Sequence, residues 1–327
     1  MSVIAGCSLF SGVIVVSDCR VTIQRSGKPD IYCDVAQKLF ALTPEVVLGF
    51  VGDIGAAGPI IRNLLAQIAY KRANNKTREL HPLLLTRWLP RYLRSAYKQL
   101  SNKWTINRID FLVGGVIKDR RNIIERAKVV KIMDRFLHGN LSMQRSWLPG
   151  ILVDILQTHG NNPFVVINNV PANLLFYMKS PNFTPHYLKP LEYTAIGSGK
   201  ETVIDIDKYA DWVFAGEVGN SFMEAMAIRE VVQSFIDKHS ILSVGGLYPT
   251  IKISNIGVEH LGYASEAPVG GARISLSVDN SGRWSQNNLS TNKEIKLLFP
   301  WEINAKEYDQ DKRFDDLKEA LNKMKRK

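Results

Sequence analysis

The chain opens with apolar runs that have the length and spacing of paired β-strands. Residues 2–10 and 12–17 are almost entirely apolar and rich in β-branched side chains, and a Ser-Gly pair separates them. Residues 38–43 and 45–51 repeat this arrangement around a Thr-Pro pair. Short apolar runs bounded by turn residues are typical of buried strands, so this part of the chain predicts two hairpins.

The apolar positions then change to helical spacing. After a glycine-rich turn, apolar residues recur every three or four positions over 60–68 and again from residue 82 to residue 100. Pro90 lies inside the second pattern and removes a helical hydrogen bond, so we expect a kink or a break there. A third helical pattern covers 221–237, and a short amphipathic one covers 311–326.

Strand patterns return between and after these helices. They cover 108–117, 164–168, 174–178, 193–199 and 249–257. Strands and helices therefore come in blocks rather than in strict alternation, which favours an α+β fold built of packed layers. Residues 119–162 show only one weak helical pattern, at 121–137, and interrupt the strand series.

Composition adds few constraints. The 327 residues suffice for one large domain or two small ones, and 45% hydrophobic with 22% charged residues is ordinary for a globular protein. No apolar run reaches the roughly 18–20 residues that span a bilayer, and the N-terminus lacks the flanks of a signal peptide. Cys7, Cys19 and Cys33 are odd in number and lack metal-ligand spacing, which favours a reducing compartment. We therefore expect a cytoplasmic protein.

The positive charge is concentrated in one segment. The formal net charge is +11, and residues 71–135 contain 17 Lys and Arg against 5 Asp and Glu. Such a segment can meet nucleic acid, an acidic partner or a membrane surface, or it can form a solvated helical face. It matches no recognisable nucleic-acid-binding module, which favours the solvated face, but its charge leaves nucleic acid open as a partner.

Several familiar catalytic motifs are missing from the sequence. None of the six histidines belongs to an H-E-x-x-H pattern, and G-x-S-x-G is absent. The GSGK stretch at 197–200 looks like the end of a phosphate-binding loop. However, the first glycine of that loop would fall at Thr194, and its Ser/Thr position holds Glu201. These patterns give no support to a zinc protease, an α/β-hydrolase or a P-loop protein.

The N-terminus offers a reactive arrangement. Met1 is normally trimmed before a residue as small as Ser2, which would then carry a free α-amine beside its hydroxyl. A hydroxyl is a weak nucleophile until a base takes its proton, and an α-amine with a pKa of about 7.7–8.0 can do so. Asp18 directly follows the second apolar run and Lys38 starts the third, and both types of side chain can tune or relay a proton. Gly52 ends the fourth run, where backbone N–H groups can face a developing oxyanion.

Several short motifs, taken in order, resemble the proteasome β-subunit family, which includes a simpler bacterial protease of the same fold. The motifs are SVIAG at 2–6, GVI at 12–14, SDCRVT at 17–22, QKLF at 37–40, GFVGD at 49–53, AIGSG at 195–199 and SVGG at 243–246. No single motif is specific, and their joint order carries the resemblance over 2–118 and 190–257. It implies a four-layer αββα sandwich, the fold of N-terminal-nucleophile hydrolases.

The resemblance also implies a domain organisation. One domain would cover 1–290, with a basic helical insertion around 119–162. Residues 291–327 would form a C-terminal extension that contains the short amphipathic helix. Neither the insertion nor the extension has a recognisable counterpart in the family.

The resemblance implies roles for the residues that match the motifs. Ser2 matches the family's nucleophilic threonine, and Asp18 and Lys38 match the pair that orients and deprotonates it. Gly52 matches the backbone donor of the oxyanion hole. The group that holds the terminal amine is matched by Ser198, Asp237 and Ser243.

A substrate site follows from the same comparison. Thr22 and Ile54 fall where family members bind an extended peptide through backbone hydrogen bonds. The residues expected to line the first specificity pocket are Val21, Ala36, Phe40, Phe50 and Ile54. This lining is uncharged, which predicts a preference for apolar side chains.

The implied activity is hydrolysis of a peptide or amide bond through an acyl-enzyme, without a metal or organic cofactor. The implied assembly is a homo-oligomeric ring or dimer acting on peptides or proteins, with an ATPase as a further partner. The chain departs from the family in having serine as nucleophile, which lacks the methyl group that restricts the threonine rotamer. The segment between Asp18 and Lys38 is also four residues longer than usual, and Ser240 competes with Ser243 for its role.

Other interpretations of these residues stay open. A small-molecule amidohydrolase of the same superfamily would have a closed, polar pocket. A non-catalytic structural or regulatory relative would retain Met1 and use the basic segment for assembly or nucleic-acid contact. At the residue level, Asp18 is also compatible with a structural ion pair to Arg20, and Lys38 with a solvated strand start. Ser198 and Ser243 are also compatible with plain turn residues.

Overall fold

The computed structural model describes residues 2–9, 12–25, 28–117, 172–188, 192–198, 244, 247–254, 257–264, 274–288 and 293–303. Strands predominate in this part of the chain, and two long helices follow the first six strands. The predicted mixed α+β class is therefore confirmed. The predicted insertion at 119–162, the strand at 164–168 and the helices at 221–237 and 311–326 lie outside the described residues.

Fifteen strands and two α-helices are described. The strands are β1 (Val3–Leu9), β2 (Gly12–Ser17), β3 (Arg20–Arg25), β4 (Lys28–Asp34), β5 (Leu39–Thr43), β6 (Val46–Gly52), β7 (Ile109–Ile117), β8 (Ala172–Lys179), β9 (His186–Tyr187), β10 (Tyr193–Gly197), β11 (Leu247–Ser254), β12 (Val258–Ala264), β13 (Ile274–Val278), β14 (Trp284–Asn288) and β15 (Lys293–Lys296). The helices are α1 (Ile54–Ala73) and α2 (Pro82–Ser101), with short 3₁₀ helices at Thr77–Leu80 and Pro300–Glu302.

Two five-stranded sheets form the centre of the molecule. Sheet I has the strand order β10-β1-β2-β11-β12, and sheet II has the order β5-β6-β7-β8-β9. Every neighbouring pair within both sheets is antiparallel. The two hairpins predicted from the first apolar runs are confirmed as β1–β2 and β5–β6.

The two sheets pack face to face through their apolar side chains. Ile4, Val13 and Ile251 of sheet I share a buried cluster with Val47 and Leu112 of sheet II. Successive side chains of a strand point to opposite faces, so sheet II presents a second apolar face on its far side. That face is free to receive the helices.

Helices α1 and α2 cover this second face of sheet II. Leu64 of α1 and Leu89 of α2 pack with Leu48 and Phe111 in a second buried cluster. Helix α1 begins at Ile54, earlier than the apolar pattern indicates, because the side chain of Asp53 accepts a hydrogen bond from the backbone N–H of Ala56 at 3.2 Å. None of the described helices is long and apolar enough to cross a membrane.

The predicted break at Pro90 does not occur, because α2 is one uninterrupted helix. Pro90 is buried on the same side of the helix as Leu85, Leu89 and Leu93. Packing of this apolar face supplies most of a helix's stability in a protein, and here it outweighs the single hydrogen bond that the proline removes.

A three-stranded sheet near the C-terminal end was not predicted. Strands β13, β14 and β15 are antiparallel, and the predicted domain boundary at 290 falls between the last two of them. Residues 297–303, which we call the C-terminal segment, then run beside residues 35–37. Leu298 donates its N–H to the carbonyl oxygen of Val35 at 2.7 Å, and Gln37 donates to that of Leu298 at 2.8 Å.

Gly58 shows how closely the C-terminal segment approaches α1. A Cβ atom at this position would lie 3.0 Å from the backbone carbonyl carbon of Pro300 and 3.0 Å from the nitrogen of Trp301. A larger residue would therefore push the two elements apart. Gly58 thus allows the C-terminal segment to pack closely against α1, where Phe299 and Trp301 contact the buried cluster beneath the helices.

Candidate active site

The predicted nucleophile and the predicted lysine are in direct contact. The Nζ atom of Lys38 lies 2.7 Å from the Oγ atom of Ser2 and 2.9 Å from Oδ1 of Asp18. The relative exposures of Ser2, Asp18 and Lys38 are 5%, 0% and 2%. Three residues that are separate in sequence thus form one buried polar cluster, which we call the Ser2 cluster.

The β1–β2 hairpin holds two members of the Ser2 cluster together. Ser2 directly precedes β1, and Asp18 directly follows β2. The N–H of Val3 donates to Oδ1 of Asp18 at 3.0 Å, and the N–H of Asp18 donates to the carbonyl oxygen of Val3 at 3.2 Å. The hairpin register therefore fixes the carboxylate beside the start of β1.

Lys38 reaches the cluster from the edge of sheet II. It lies just before β5, and its carbonyl oxygen accepts a hydrogen bond from the N–H of Phe50 at 3.2 Å. Its side chain donates to Ser2, to Asp18 and to the carbonyl oxygen of Arg20. An ammonium group has three protons, so these acceptors satisfy all of them.

The carboxyl group of Asp18 is shaped by two opposing effects. Burial raises its pKa above the ordinary aspartate value. The charge and hydrogen bond of Lys38 and the N–H groups of Val3 and Arg20 act in the opposite direction, but burial prevails. A raised pKa makes transfer of a proton from the ammonium to this carboxylate less costly than it is in water.

Arg20 does not form the structural ion pair with Asp18 that the sequence left open. Its guanidinium binds both carboxylate oxygens of Asp34, at 2.6 and 2.9 Å, and only its backbone N–H contacts Asp18, at 3.2 Å. The hydrogen bond to Asp34 is the main reason that the pKa of Arg20 is raised. The side-chain ion-pair partner of Asp18 is therefore Lys38 and not Arg20.

Arg20 and Asp34 were missed as site residues. They face each other across β3 and β4, and Arg20 also donates to the carbonyl oxygen of Val244 at 3.2 Å. Opposite charges at facing positions of a hairpin are a recognisable signal. The sequence analysis had no such hairpin, because 20–34 lacks the continuous apolar runs of the other strands.

Gly52 ends β6 immediately before the N-terminus of α1. Its φ angle is 108°, and a Cβ atom here would lie 2.0 Å from the carbonyl oxygen of Arg108. Only glycine fits this conformation and this contact. The residue is exposed and lies two positions beyond Phe50, whose N–H binds Lys38. The strand end that was expected to carry the oxyanion donor is therefore tied to Lys38 through the backbone.

One of the three residues expected to hold the terminal amine is described. The backbone N–H of Ser198 donates to the carbonyl oxygen of Ser2 at 2.8 Å. Gly197 makes this approach possible, because its φ is 91° and a Cβ atom there would lie 2.0 Å from the same oxygen. Asp237 and Ser243 lie outside the described residues.

Some of the expected substrate-binding residues lie beside the Ser2 cluster. Val21 and Thr22 follow Arg20 in β3, and the buried Oγ1 atom of Thr22 has no hydrogen-bond partner within the described part of the chain. Ala36 is fully buried and pairs with Leu298. The hydroxyl of Thr22 is therefore able to form a hydrogen bond with a substrate, whereas Ala36 is covered by the C-terminal segment.

The expected aromatic lining of the specificity pocket is packed instead of open. Phe40 and Phe50 have exposures of 4% and 1% and belong to the cluster beneath the helices, against which Ile54 also packs. Phe299 and Trp301 stack on Phe40, with ring centroids 6.3 and 6.2 Å away. The C-terminal segment thus occupies space next to the residue that was expected to line the pocket.

Gln37 was part of a quoted motif but was not singled out. Its side chain is 1% exposed and accepts a hydrogen bond from the N–H of Trp284 at 3.2 Å. It also donates to the carbonyl oxygens of Gly282 at 2.8 Å and Leu39 at 3.2 Å. The residue before Lys38 therefore anchors the turn between β13 and β14, a link that no local pattern reveals.

Within the described ranges, no three His, Cys, Asp or Glu side chains are grouped so as to hold a metal ion. No family model matches the chain, and no curated protein sequence is similar enough to count as a relative.

Proposed function

We propose that the chain is an N-terminal-nucleophile hydrolase that cleaves amide bonds through an acyl-enzyme on Ser2. The observation that carries this proposal is the buried contact of 2.7 Å between Ser2 Oγ and Lys38 Nζ, with Asp18 as the counter-ion. A lysine that only served solubility would keep its charge in water, since burying an ammonium is costly. Placing it against a hydroxyl at the start of the chain suits activation of that hydroxyl.

The first step of the proposed reaction forms an ester and releases an amine. Removal of the residue that precedes Ser2 frees its α-amine. Ser2 Oγ attacks the carbonyl carbon while its proton passes to the free-base amine of Lys38, whose own proton Asp18 has taken. The C–N bond then breaks, and the proton held by the amine base goes to the leaving nitrogen.

The second step consumes water. Water attacks the ester carbonyl, its proton is taken by the same base, and the carboxylic acid leaves as Ser2 Oγ recovers a proton. In both steps the oxyanion would be stabilised by the N–H of Gly52 at the positive end of α1. The raised pKa of Asp18 supports this scheme, because it favours the uncharged form of the Asp18–Lys38 pair.

The architecture proposed with this activity is the four-layer αββα sandwich. The described helices, sheet II and sheet I supply three successive layers in that order. The predicted helix at 221–237 would form the fourth layer, on the outer face of sheet I. A homo-oligomer acting on peptides, with an ATPase partner, belongs to the same proposal.

Intact mass spectrometry after treatment with an acylating β-lactone tests the nucleophile. The account predicts that the purified protein lacks Met1 and gains the mass of one lactone. Ser2→Ala should abolish the adduct, whereas Ser8→Ala, in the strand that follows Ser2 and also buried, should keep it. An adduct that persists in Ser2→Ala would disprove the assignment.

A second candidate is hydrolysis of a small-molecule amide instead of an extended peptide. The observation that favours it is the stacking of Phe299 and Trp301 on Phe40, which leaves less room for a large side chain. A panel of acyl-aminocoumarins separates the two. Fast cleavage of acetyl or alanyl derivatives and slow cleavage of leucyl and phenylalanyl peptides would favour the small substrate.

A further inference from the structure

A groove at the other end of the β5–β6 hairpin from Lys38 combines an apolar floor with a cationic rim. It lies between the β5–β6 turn, the end of α1 and the start of α2, and encloses about 580 Å³. Pro44, Leu80, Leu83 and Leu84 provide apolar surface. The groove is also lined by three arginines, Arg72, Arg78 and Arg87, by His81 and by one carboxylate, Glu45.

The rim is part of a larger excess of positive charge. Residues 71–117 contain ten Lys and Arg but only two acids, Glu79 and Asp110. Both acids are already engaged, Glu79 with Lys71 and Asp110 with Arg108. Neither Arg78 nor Arg87 has an acidic partner among the residues that the structure describes. Their charges are therefore available to a ligand.

The positive charge continues from the groove along α2. Arg87, Arg91, Arg94 and Lys98 are spaced by four, three and four residues, so they lie on one face of the helix, and all four are exposed. At 1.5 Å per residue this row is about 16 Å long. A ligand anchored in the groove would thus meet further cations if it extended along the helix.

The floor distinguishes between the anionic ligands that such a rim would attract. Covering leucine surface with an aliphatic or aromatic side chain is favourable, because it removes apolar area from water. A phosphate or a sugar has no comparable apolar surface to place there. Glu45 would repel a phosphate or a carboxylate placed directly against it, but it can accept a hydrogen bond from a peptide N–H, which nucleic-acid phosphates and sugars lack. Arginine binds carboxylates bidentately, in the geometry that Arg20 shows with Asp34.

We propose that this groove, bounded by the β5–β6 turn and the N-terminal half of α2, binds an acidic segment of a partner protein. An apolar side chain of the segment would fill the floor, and flanking carboxylates would pair with Arg78 and Arg87. The positive end of α2, which begins at Pro82, adds to the attraction. This interaction is independent of the chemistry at Ser2.

Fluorescence anisotropy with defined peptides tests the proposal on the full chain. The probe is a fluorescein-labelled peptide in which a Leu-Leu pair lies between runs of glutamate. Two matched peptides replace either the glutamates with glutamines or the leucine pair with serines. An oligothymidylate of equal charge serves as the nucleic-acid competitor.

The probe should bind saturably, and both altered peptides should bind at least about tenfold more weakly, as the loss of one good contact implies. The double variant Arg78→Ala/Arg87→Ala should raise the dissociation constant by roughly tenfold. The matched control is Lys103→Ala, an exposed cation outside the groove, which should leave it unchanged. Ser2→Ala should also bind normally, which separates this proposal from the proposed hydrolase activity.

Three results would overturn the proposal. The first is equal binding of the leucine and serine peptides, which would show that the floor is not used. The second is an equal loss of affinity in Lys103→Ala and in the double variant, which would indicate unspecific charge attraction. The third is an oligothymidylate that binds more tightly than the probe and depends on the same two arginines, because that would identify a nucleic-acid site.

Discussion

At the residue scale, the central feature is a buried lysine whose three hydrogen-bond acceptors lie just before β1, just after β2 and at the start of β3. Lys38 is 36 residues from Ser2 and 20 from Asp18 in sequence, yet its ammonium contacts both. The carboxylate is held in turn by backbone N–H groups of Val3 and Arg20. The ammonium of Lys38, the carboxylate of Asp18 and the hydroxyl of Ser2 all have hydrogen-bond partners, which offsets the cost of burying them.

Removing the lysine should destabilise the fold, because it leaves the carboxylate of Asp18 buried without a counter-ion. We expect Lys38→Met to lower the free energy of unfolding by about 3–5 kcal/mol in urea titrations at neutral pH. Adding Asp18→Asn should recover part of this loss. The exposed control Lys98→Met should stay within about 0.5 kcal/mol of the wild type. A Lys38→Met variant as stable as the control would show that the pair is not formed.

The raised pKa of Asp18 predicts the acid side of the activity profile. As pH falls through that raised value, the pair comes to hold two protons, on the carboxyl and on the amine, and neither group can accept the proton of Ser2. The rate of acylation by a β-lactone should therefore fall at a pH above the ordinary aspartate range near about 3.9. The profile of Asp18→Asn should lack this step, while the exposed control Asp279→Asn should keep it. A wild-type rate that stays constant down to that range would contradict the assignment.

The sequence allowed the cluster to be predicted only as far as its motifs reach. Ser2, Asp18 and Lys38 could be proposed because each lies at the end of a recognisable apolar run. The pairing of Arg20 with Asp34 depends on the register of a hairpin with polar and apolar residues mixed, which local patterns do not fix. Without that register, an ion pair of Asp18 with Arg20 stayed open as an alternative to the pairing with Lys38.

At the scale of elements, the C-terminal segment is an integral part of the fold. It pairs with residues 35–37, stacks Phe299 and Trp301 on Phe40, and contacts α1 at Gly58. Sequence patterns identified none of this, since the segment is short and its partners are more than 200 residues away. Residues 35–37, directly before Lys38, are therefore held in place by the C-terminal segment.

Gln37 should be a sensitive point of this arrangement. Gln37→Ala leaves the buried N–H of Trp284 without its acceptor, which should cost about 1–3 kcal/mol of stability in thermal or urea unfolding. The exposed Gln99→Ala on α2 is the matched control and should change little. If both variants behave alike, the anchoring role of Gln37 is disproved.

The ion pair that closes the C-terminal segment predicts a pH-dependent stability. Burial raises the pKa of Glu302, but the hydrogen bonds from Arg283 and from the N–H of Phe299, together with the charge of Arg283, outweigh it and leave the pKa lowered. A lowered folded-state pKa stabilises the protein above the unfolded value of about 4.3, and the effect is lost as pH falls through the folded-state value. The wild type should thus be more stable than Glu302→Gln at pH 7, and this difference should be smaller at pH 3. A difference of the same size at both pH values would refute the role of the charge.

At the scale of the whole molecule, two antiparallel sheets pack together and carry helices on one face. This part was accessible from the sequence, because continuous apolar runs such as 12–17 and 109–117 are what a strand buried on both faces requires. The three-stranded sheet was not accessible, because β13 to β15 contain serine, asparagine and lysine in place of such runs.

The acylation rate of Ser2 measured with and without the lysine amine tests the central claim most directly. The measurement compares the wild type, Lys38→Met and the control Lys98→Met with one β-lactone, under conditions where circular dichroism shows all three to be folded. If Lys38 takes the proton of Ser2, Lys38→Met should be slower by about 10²–10⁴-fold, as for loss of a general base, while the control keeps the wild-type rate. A folded Lys38→Met protein that is acylated at Ser2 as fast as the wild type would contradict the account.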